Sequence, residues 1–138
     1  MARVLHLFRA PKKQEAMEQI SAVRVIENVG FDRCAHARPN GRRQVLLVDV
    51  ETLQKFGLVP GIIRENITTE GLDVNSLAVG RKVQVGEVEL VVSLPCEPCE
   101  QIEALRVGLQ ESMVGQRGML CKVARGGMVK VGDEIRVV

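Results

Sequence analysis

Two thiols, Cys96 and Cys99, stand three residues apart in the stretch Leu94-Pro95-Cys96-Glu97-Pro98-Cys99-Glu100-Gln101-Ile102. A helix-like pattern begins directly after them, with apolar Ile102, Leu105 and Leu109 at i, i+3 and i+7. A thiol at a helix N-terminus feels the positive end of the helix dipole, which favours its thiolate. The thiolate is the form that attacks electrophiles, carries sulfur or ligates a soft metal. Pro98 restricts the backbone just before Cys99, whereas Glu97, Glu100 and Glu103 add negative charge that opposes the dipole. The spacing alone leaves three chemistries open: half of a zinc site, a redox pair, or one working thiol beside a bystander. A zinc site needs two more ligands, and Cys34 and His36 could supply them. A dithiol redox pair usually follows the first strand of a βαβ unit, and no such unit surrounds this one.

Other candidates are weaker singly. Cys121 alternates with Met119 and Val123 and reads as a core residue, because a free cysteine packs as a small hydrophobe. His36 lies in an irregular segment between Arg33 and Arg38, where a lone histidine is most often a surface or hydrogen-bonding group. His6 sits in the first strand and reads as structural. Arg64-Glu65-Asn66 has two readings, a solvated turn or an anion and amide-ring site. Arginine offers a planar fork for phosphate, and asparagine can pair with a pterin or amide edge. Arg42, Arg43 and Arg24 could extend such a basic surface. No lysine stands in a context that suggests a pyridoxal-phosphate Schiff base, so that cofactor is not expected.

The elements that must position these groups read mostly as short strands separated by glycines. Strands are expected at Arg3 to Phe8, Ser21 to Asn28 (ending at Gly30), Gln44 to Val48, Ile62 to Ile67, and as a hairpin over Lys82 to Val85 and Val88 to Val92. In that hairpin Val83 and Val85 share one face, and Val88, Leu90 and Val92 another. Further strands are expected at Gly118 to Ala124, Val129 to Val131 and Glu134 to Val138. The run Gln44-Val45-Leu46-Leu47-Val48 suits a strand buried on both faces. Asp49 can cap a short helix that Gly57 closes. Pro11 to Gln19 reads as a loop or a short surface helix, and one or two short helices follow the cysteines up to Val114. The pattern implies a mainly β (α+β) barrel or barrel-like sheet with a few helices on it.

The chain has 138 residues, of which 46% are hydrophobic, enough for one domain with its own core over residues 1–138. Three Phe and no Tyr or Trp leave few platforms for stacking bases, and a net charge of +2 is too small for a duplex-binding footprint. No nucleic-acid partner is expected. Neither is a membrane, since no apolar run has spanning length and the N-terminus lacks a signal-peptide pattern. A reducing, cytoplasmic location is the default, in which four cysteines are free, metal-binding or catalytic more often than paired.

Several stretches together resemble the MOSC domain, named for the C-terminal domain of molybdenum-cofactor sulfurase. They are Arg42 to Asp49, Pro60 to Asp73, Leu77-Ala78-Val79-Gly80 with Val85-Gly86, Pro95-Cys96-Glu97-Pro98-Cys99, Arg117-Gly118-Met119, and Gly127 to Asp133. The resemblance runs over nearly the whole chain in the family's order. It implies a barrel-like fold that binds molybdenum cofactor or handles sulfur for it. Cys99 matches the cysteine that ligates molybdenum or carries sulfur in relatives. Arg64 and Asn66 match residues that meet the pterin and phosphate, with Arg43 extending that surface. Asp32 to His36 is similar to a Gly-Asp-x-His-Ala element without its glycine, which brings His36 into the expected cofactor site. Three functions follow. One is a reductase of N-hydroxylated compounds, with cysteine-ligated molybdenum and an electron-transfer partner. The second is a sulfur carrier exchanging a Cys99 persulfide with donor and acceptor proteins. The third is a non-catalytic module with a structural Cys-x-x-Cys. The sulfurase's pyridoxal-phosphate domain is absent from this sequence, so cysteine desulfurase activity is not implied.

Overall fold

The computed structural model describes residues 1–13 and 15–138. Among these, the strands in chain order are β1 (Ala2–Arg9), β2 (Glu18–Ile20), β3 (Ala22–Ile26), β4 (Gly30–Phe31), β5 (Val45–Asp49), β6 (Ile67–Glu70), β7 (Lys82–Val85), β8 (Val88–Pro95), β9 (Met119–Arg125), β10 (Gly127–Lys130) and β11 (Glu134–Val137). The helices are short: α1 (Val50–Lys55), α2 (Glu100–Glu103), α3 (Leu109–Ser112) and a single 3₁₀ turn at Val74–Ser76. Seven strands form a closed barrel in the order β11-β7-β8-β9-β5-β6-β1. Closure comes from β1, whose Ala2 and Arg3 pair with Ile135 and Glu134 of β11. The other end of β1 carries β2, and β10, β3 and β4 make a small second sheet. No helix among the described residues is long and apolar enough to cross a membrane.

Two apolar layers share the barrel wall. The alternation of a strand sends successive side chains to opposite faces. Thus Val45 and Leu47 of β5 join Val83, Val85, Val88, Leu90, Val92, Cys121 and Val123 inside the barrel. Leu46 and Val48 face outward and pack with Leu53, Ile63, Cys96, Ile102, Leu109, Met113 and Leu120. The continuous apolar run in β5 is therefore explained: both of its faces are covered. The hairpin residues differ from the sequence expectation. Val83 pairs with Leu90 and Val85 with Val88. Directly opposed residues point to the same side of a sheet, so all five valines and leucines face the interior rather than dividing between faces.

The strand expected over Ile62 to Ile67 is instead a turn and loop, and β6 begins only at Ile67. Gly61 and Arg64 have φ of +88° and +66°, which no strand accommodates. The loop is held by Glu65, whose Oε2 accepts from the Gly61 amide at 2.9 Å and the Thr68 hydroxyl at 2.8 Å. The region expected as loop or surface helix from Pro11 to Gln19 ends in β2, and its residue 14 lies outside the described residues. Gly30 opens the short strand β4 rather than ending β3. The one or two short helices expected after the cysteines are two, α2 and α3, so the apolar pattern of Ile102, Leu105 and Leu109 is divided between them. Ile102 and Leu109 are buried, but Leu105 is exposed, and Gly108 at φ +85° restarts the chain as α3. Asp49 stands at the N-cap of α1 without a side-chain capping bond.

Gly118 joins α3 to β9 at φ +100°, where a Cβ would collide with the Leu47 carbonyl oxygen and lie 2.8 Å from a Val48 methyl. Gly118→Ala is therefore expected to lower unfolding free energy by about 3 kcal/mol or more, measured by urea denaturation. A change near zero would show that the β5–β9 step has room this packing does not allow.

Candidate functional site

The barrel's outward face forms the floor of a cleft of about 820 Å³. Leu46 of β5 and Leu120 of β9, paired across the sheet, lie at its base. The walls come from three segments. The first is residues 36–43, tied to the barrel by the buried Gln44. Its amide donates to the Arg38 carbonyl at 3.0 Å, and its oxygen accepts from the Val123 amide at 2.9 Å. The second is the loop before β6. The third is the cysteine segment, which leaves β8 at Pro95. Ser93 sits at a register shift in β8, and its hydroxyl reaches the Leu120 carbonyl at 3.0 Å.

Cys99, Arg64, Asn66, Arg43 and His36, scattered over more than sixty positions of sequence, all line this one cleft. Cys96, Arg117, Arg38, Arg42 and Lys13 join them. The cleft thus holds six permanent cations (Lys13, Arg38, Arg42, Arg43, Arg64 and Arg117) against one carboxylate, Glu97. None of the six forms an ion pair among the described residues. Such an excess suits an anionic ligand.

Asn66 is buried, and its side chain is committed to the backbone. Oδ1 accepts from the Leu46 amide at 2.9 Å, and Nδ2 donates to the Phe8 carbonyl at 3.3 Å and approaches Cys34 Sγ at 3.5 Å. It bridges β1 and β5 immediately before β6 begins. Arg64 is half-exposed, at a positive φ that is uncommon for a long side chain, and its Nη1 donates to the Glu15 carbonyl. His36 is half-buried. Burial holds its pKa below the usual imidazole value, and Arg64 and Arg117 act in the same direction, while the Asn66 side chain opposes them. The ring is therefore neutral near pH 7.

Arg117 is the site residue that sequence reasoning gave no role. It appeared only within the Arg117-Gly118-Met119 stretch, and a charged residue just before a glycine reads as an exposed turn. Here it is buried. Its Nη1 donates to Cys96 Sγ at 3.1 Å and the Glu97 carbonyl at 3.0 Å, and its Nη2 to the Ile63 carbonyl at 3.3 Å. Cys96 is buried too. Burial pushes its pKa up, against the pull of Arg117 and Arg43, so it is a neutral thiol near pH 7. Cys99 is half-exposed and stands at the N-cap of the single turn α2. So short a helix has little macrodipole, and the dipole argument for this thiol loses most of its force. Of the three nearby acids, Glu103 turns its carboxylate to the Gly108 and Gln110 amides at 2.8 and 3.0 Å.

The zinc arrangement does not assemble. Cys34 points away from the cleft into the core, where it accepts from the Ala10 amide at 3.3 Å. Among the described residues no three His, Cys, Asp or Glu side chains converge as a metal cluster. Cys121 is buried in the barrel, its pKa pushed up to about 12 by desolvation, as its alternating strand suggested.

The family model of the MOSC domain matches residues 40–136. The chain belongs to the MOSC domain family. This family is associated with molybdenum-cofactor-related function. The matched segment contains the cysteine loop, Arg64, Asn66 and Arg117, while β1, which closes the MOSC barrel, lies before it. Solved structures share the whole fold. The YuaD protein from Bacillus subtilis superposes with a TM-score of 0.83 at 24% identity, covering 99% of this chain and 94% of that one. YiiM from Geobacillus stearothermophilus gives 0.80 at 16% identity, over 100% of this chain and 75% of that one. YiiM from Escherichia coli gives 0.72 at 18%, over 99% and 69%. No curated protein matches the sequence.

Glu65 offers a pH test of how the site loop is held. Burial is the main cause that raises its pKa above 4.5, and its Oε1 is buried without a partner. A carboxyl with a raised folded-state pKa adds stability below its unfolded value and loses it as pH rises through the folded value. Glu65→Gln keeps one acceptor oxygen for Gly61 and Thr68 and removes this titration. The variant should therefore gain on wild type as pH rises above 4.5 in urea unfolding. A difference that is flat with pH would show that Glu65 does not titrate in this window.

Proposed function

We propose that this MOSC domain binds molybdenum cofactor in the cleft, with Cys99 as the protein thiolate on the metal. The observation that carries the reading is a cation-rich cleft in which one reachable thiol stands among arginines. The cofactor is an anionic phosphate ester with a sulfur-bearing pterin, so it asks for arginines and a soft donor, and both line the same cleft. Cys99 suits the ligand role because it is half-exposed, whereas Cys96 is buried and already accepts from Arg117. Arg64 and Arg43 would hold the phosphate and pterin edge. Asn66 would shape the pocket wall from behind, since its polar atoms serve Leu46 and Phe8. His36, neutral in the cleft, would take or give a proton beside the bound group.

The cofactor, when bound, supplies two-electron redox chemistry at molybdenum. With it the domain would act as a reductase of N-hydroxylated compounds, drawing electrons from a partner protein in the cytoplasm. The accessibility of Cys99 also favours a second reading, a sulfur carrier whose Cys99 persulfide passes between donor and acceptor proteins.

Purification from a cofactor-producing host tests the first reading through metal and pterin content. Wild type is expected to carry molybdenum and pterin together, Cys99→Ala to lose molybdenum by about tenfold or more, and Arg64→Ala to lose pterin. Wild type without molybdenum despite cofactor supply sinks it. One additional sulfur mass on Cys99 after exposure to a persulfide donor would then turn the assignment to the carrier.

A further inference from the structure

The two cleft cysteines are held in different ways, and one side chain makes the difference. Cys96 is tied to the segment before β9 twice. Its amide donates to the Gly118 carbonyl at 3.0 Å, and its sulfur accepts from Arg117 Nη1 at 3.1 Å. Arg117 in turn is pinned by the carbonyls of Glu97 and Ile63. Both hydrogens of Nη1 are thereby used, and Cys96 cannot rotate outward without leaving a buried charged donor unsatisfied. Cys99 has no such tether. Its carbonyl accepts from the Ile102 and Glu103 amides at the start of α2, and its side chain makes no hydrogen bond among the described residues.

We infer that Arg117 is a positioning residue that decides which of the two thiols reacts, locking Cys96 inward and leaving Cys99 alone to meet a ligand. The idea deepens the reading of Cys99 as the working thiol and rests on it for its consequence. The selectivity itself belongs to the metal-free chain. Arg117 also joins the cysteine segment to the loop that carries Arg64, because its third acceptor is Ile63. The guanidinium thus ties the segment that carries the open thiol to the loop that carries Arg64. A lysine could supply the charge but not the three-way fork.

The competing reading is that the guanidinium activates Cys96 for attack. Timed labelling of the full, metal-free chain with iodoacetamide near neutral pH, read cysteine by cysteine by peptide mass spectrometry, separates the two. Wild type should label Cys99 about tenfold or more faster than Cys96. Arg117→Met should speed Cys96 by about tenfold or more while Cys34 and Cys121, buried elsewhere, stay slow. Arg117→Lys should lie between wild type and the methionine variant, and it serves if the latter does not fold. Cys96 labelling as fast as Cys99 in wild type overturns the proposal. So does an unchanged Cys96 in the variants, or a rise shared equally by Cys34 and Cys121, which would signal general loosening. Because no cofactor is present, failure here is separate from failure to find molybdenum.

Discussion

One parallel step in the barrel governs the rest of the structure. β5 and β6 are paired in parallel, with Leu47 beside Ile67 and Asp49 beside Thr69, whereas the other barrel pairings are antiparallel. Antiparallel neighbours can be joined by a tight turn, but a parallel pair needs a crossover that returns the chain to its starting end. Here the crossover is α1 and the loop that follows it. That excursion covers the outer face of β5 with Leu53 and Ile63 and delivers Arg64 and Asn66 to the cleft. The cleft is thus a by-product of connectivity: its floor is the sheet, and one wall is the chain that the parallel pair requires.

The second constraint is charge without countercharge. A buried guanidinium is costly unless its hydrogen bonds are made. Arg117 meets most of that requirement with two carbonyls and a sulfur rather than a carboxylate. Those acceptors serve Nη1 and Nη2, leave the buried Nε without a partner, and leave the positive charge uncancelled. With the exposed arginines of residues 38–43 above it, the cleft keeps a field that favours anions. Glu65, the buried carboxylate nearest in sequence, faces Gly61 and Thr68 and holds the loop, and it pairs with none of these cations.

Asn66 shows how a site residue can spend most of its polar capacity on the fold. Just before β6 begins, the sheet would present unpaired groups on Leu46 and Phe8. The asparagine amide supplies one acceptor and one donor in their place. It continues the ladder on both sides. The same economy operates at Gln44, a buried amide that ties residues 38–43 to β9.

Much of the fold and part of the site were readable from the chain alone. Period-two alternation, the glycine punctuation and the doubly covered Val45-Leu46-Leu47-Val48 run are local signals, and they specify a strand-rich barrel with short helices. The spacing of Cys96 and Cys99, with Arg64 and Asn66 in a recognisable order, marked the segments that meet at the cleft. What local signals could not carry was left to tertiary structure. Glu65, bonding back to Gly61, turns an apolar stretch that reads as strand into a loop. Gly108 breaks a helical stripe that looks continuous. The choice between the two thiols rests on Arg117, which reaches Cys96 from twenty-one positions away and Ile63 from fifty-four. Sequence by itself determined which residue types and strands were available. Only the closed barrel decided which thiol is open and which arginine is buried, because burial and hydrogen-bond partners are properties of segments brought together across the fold.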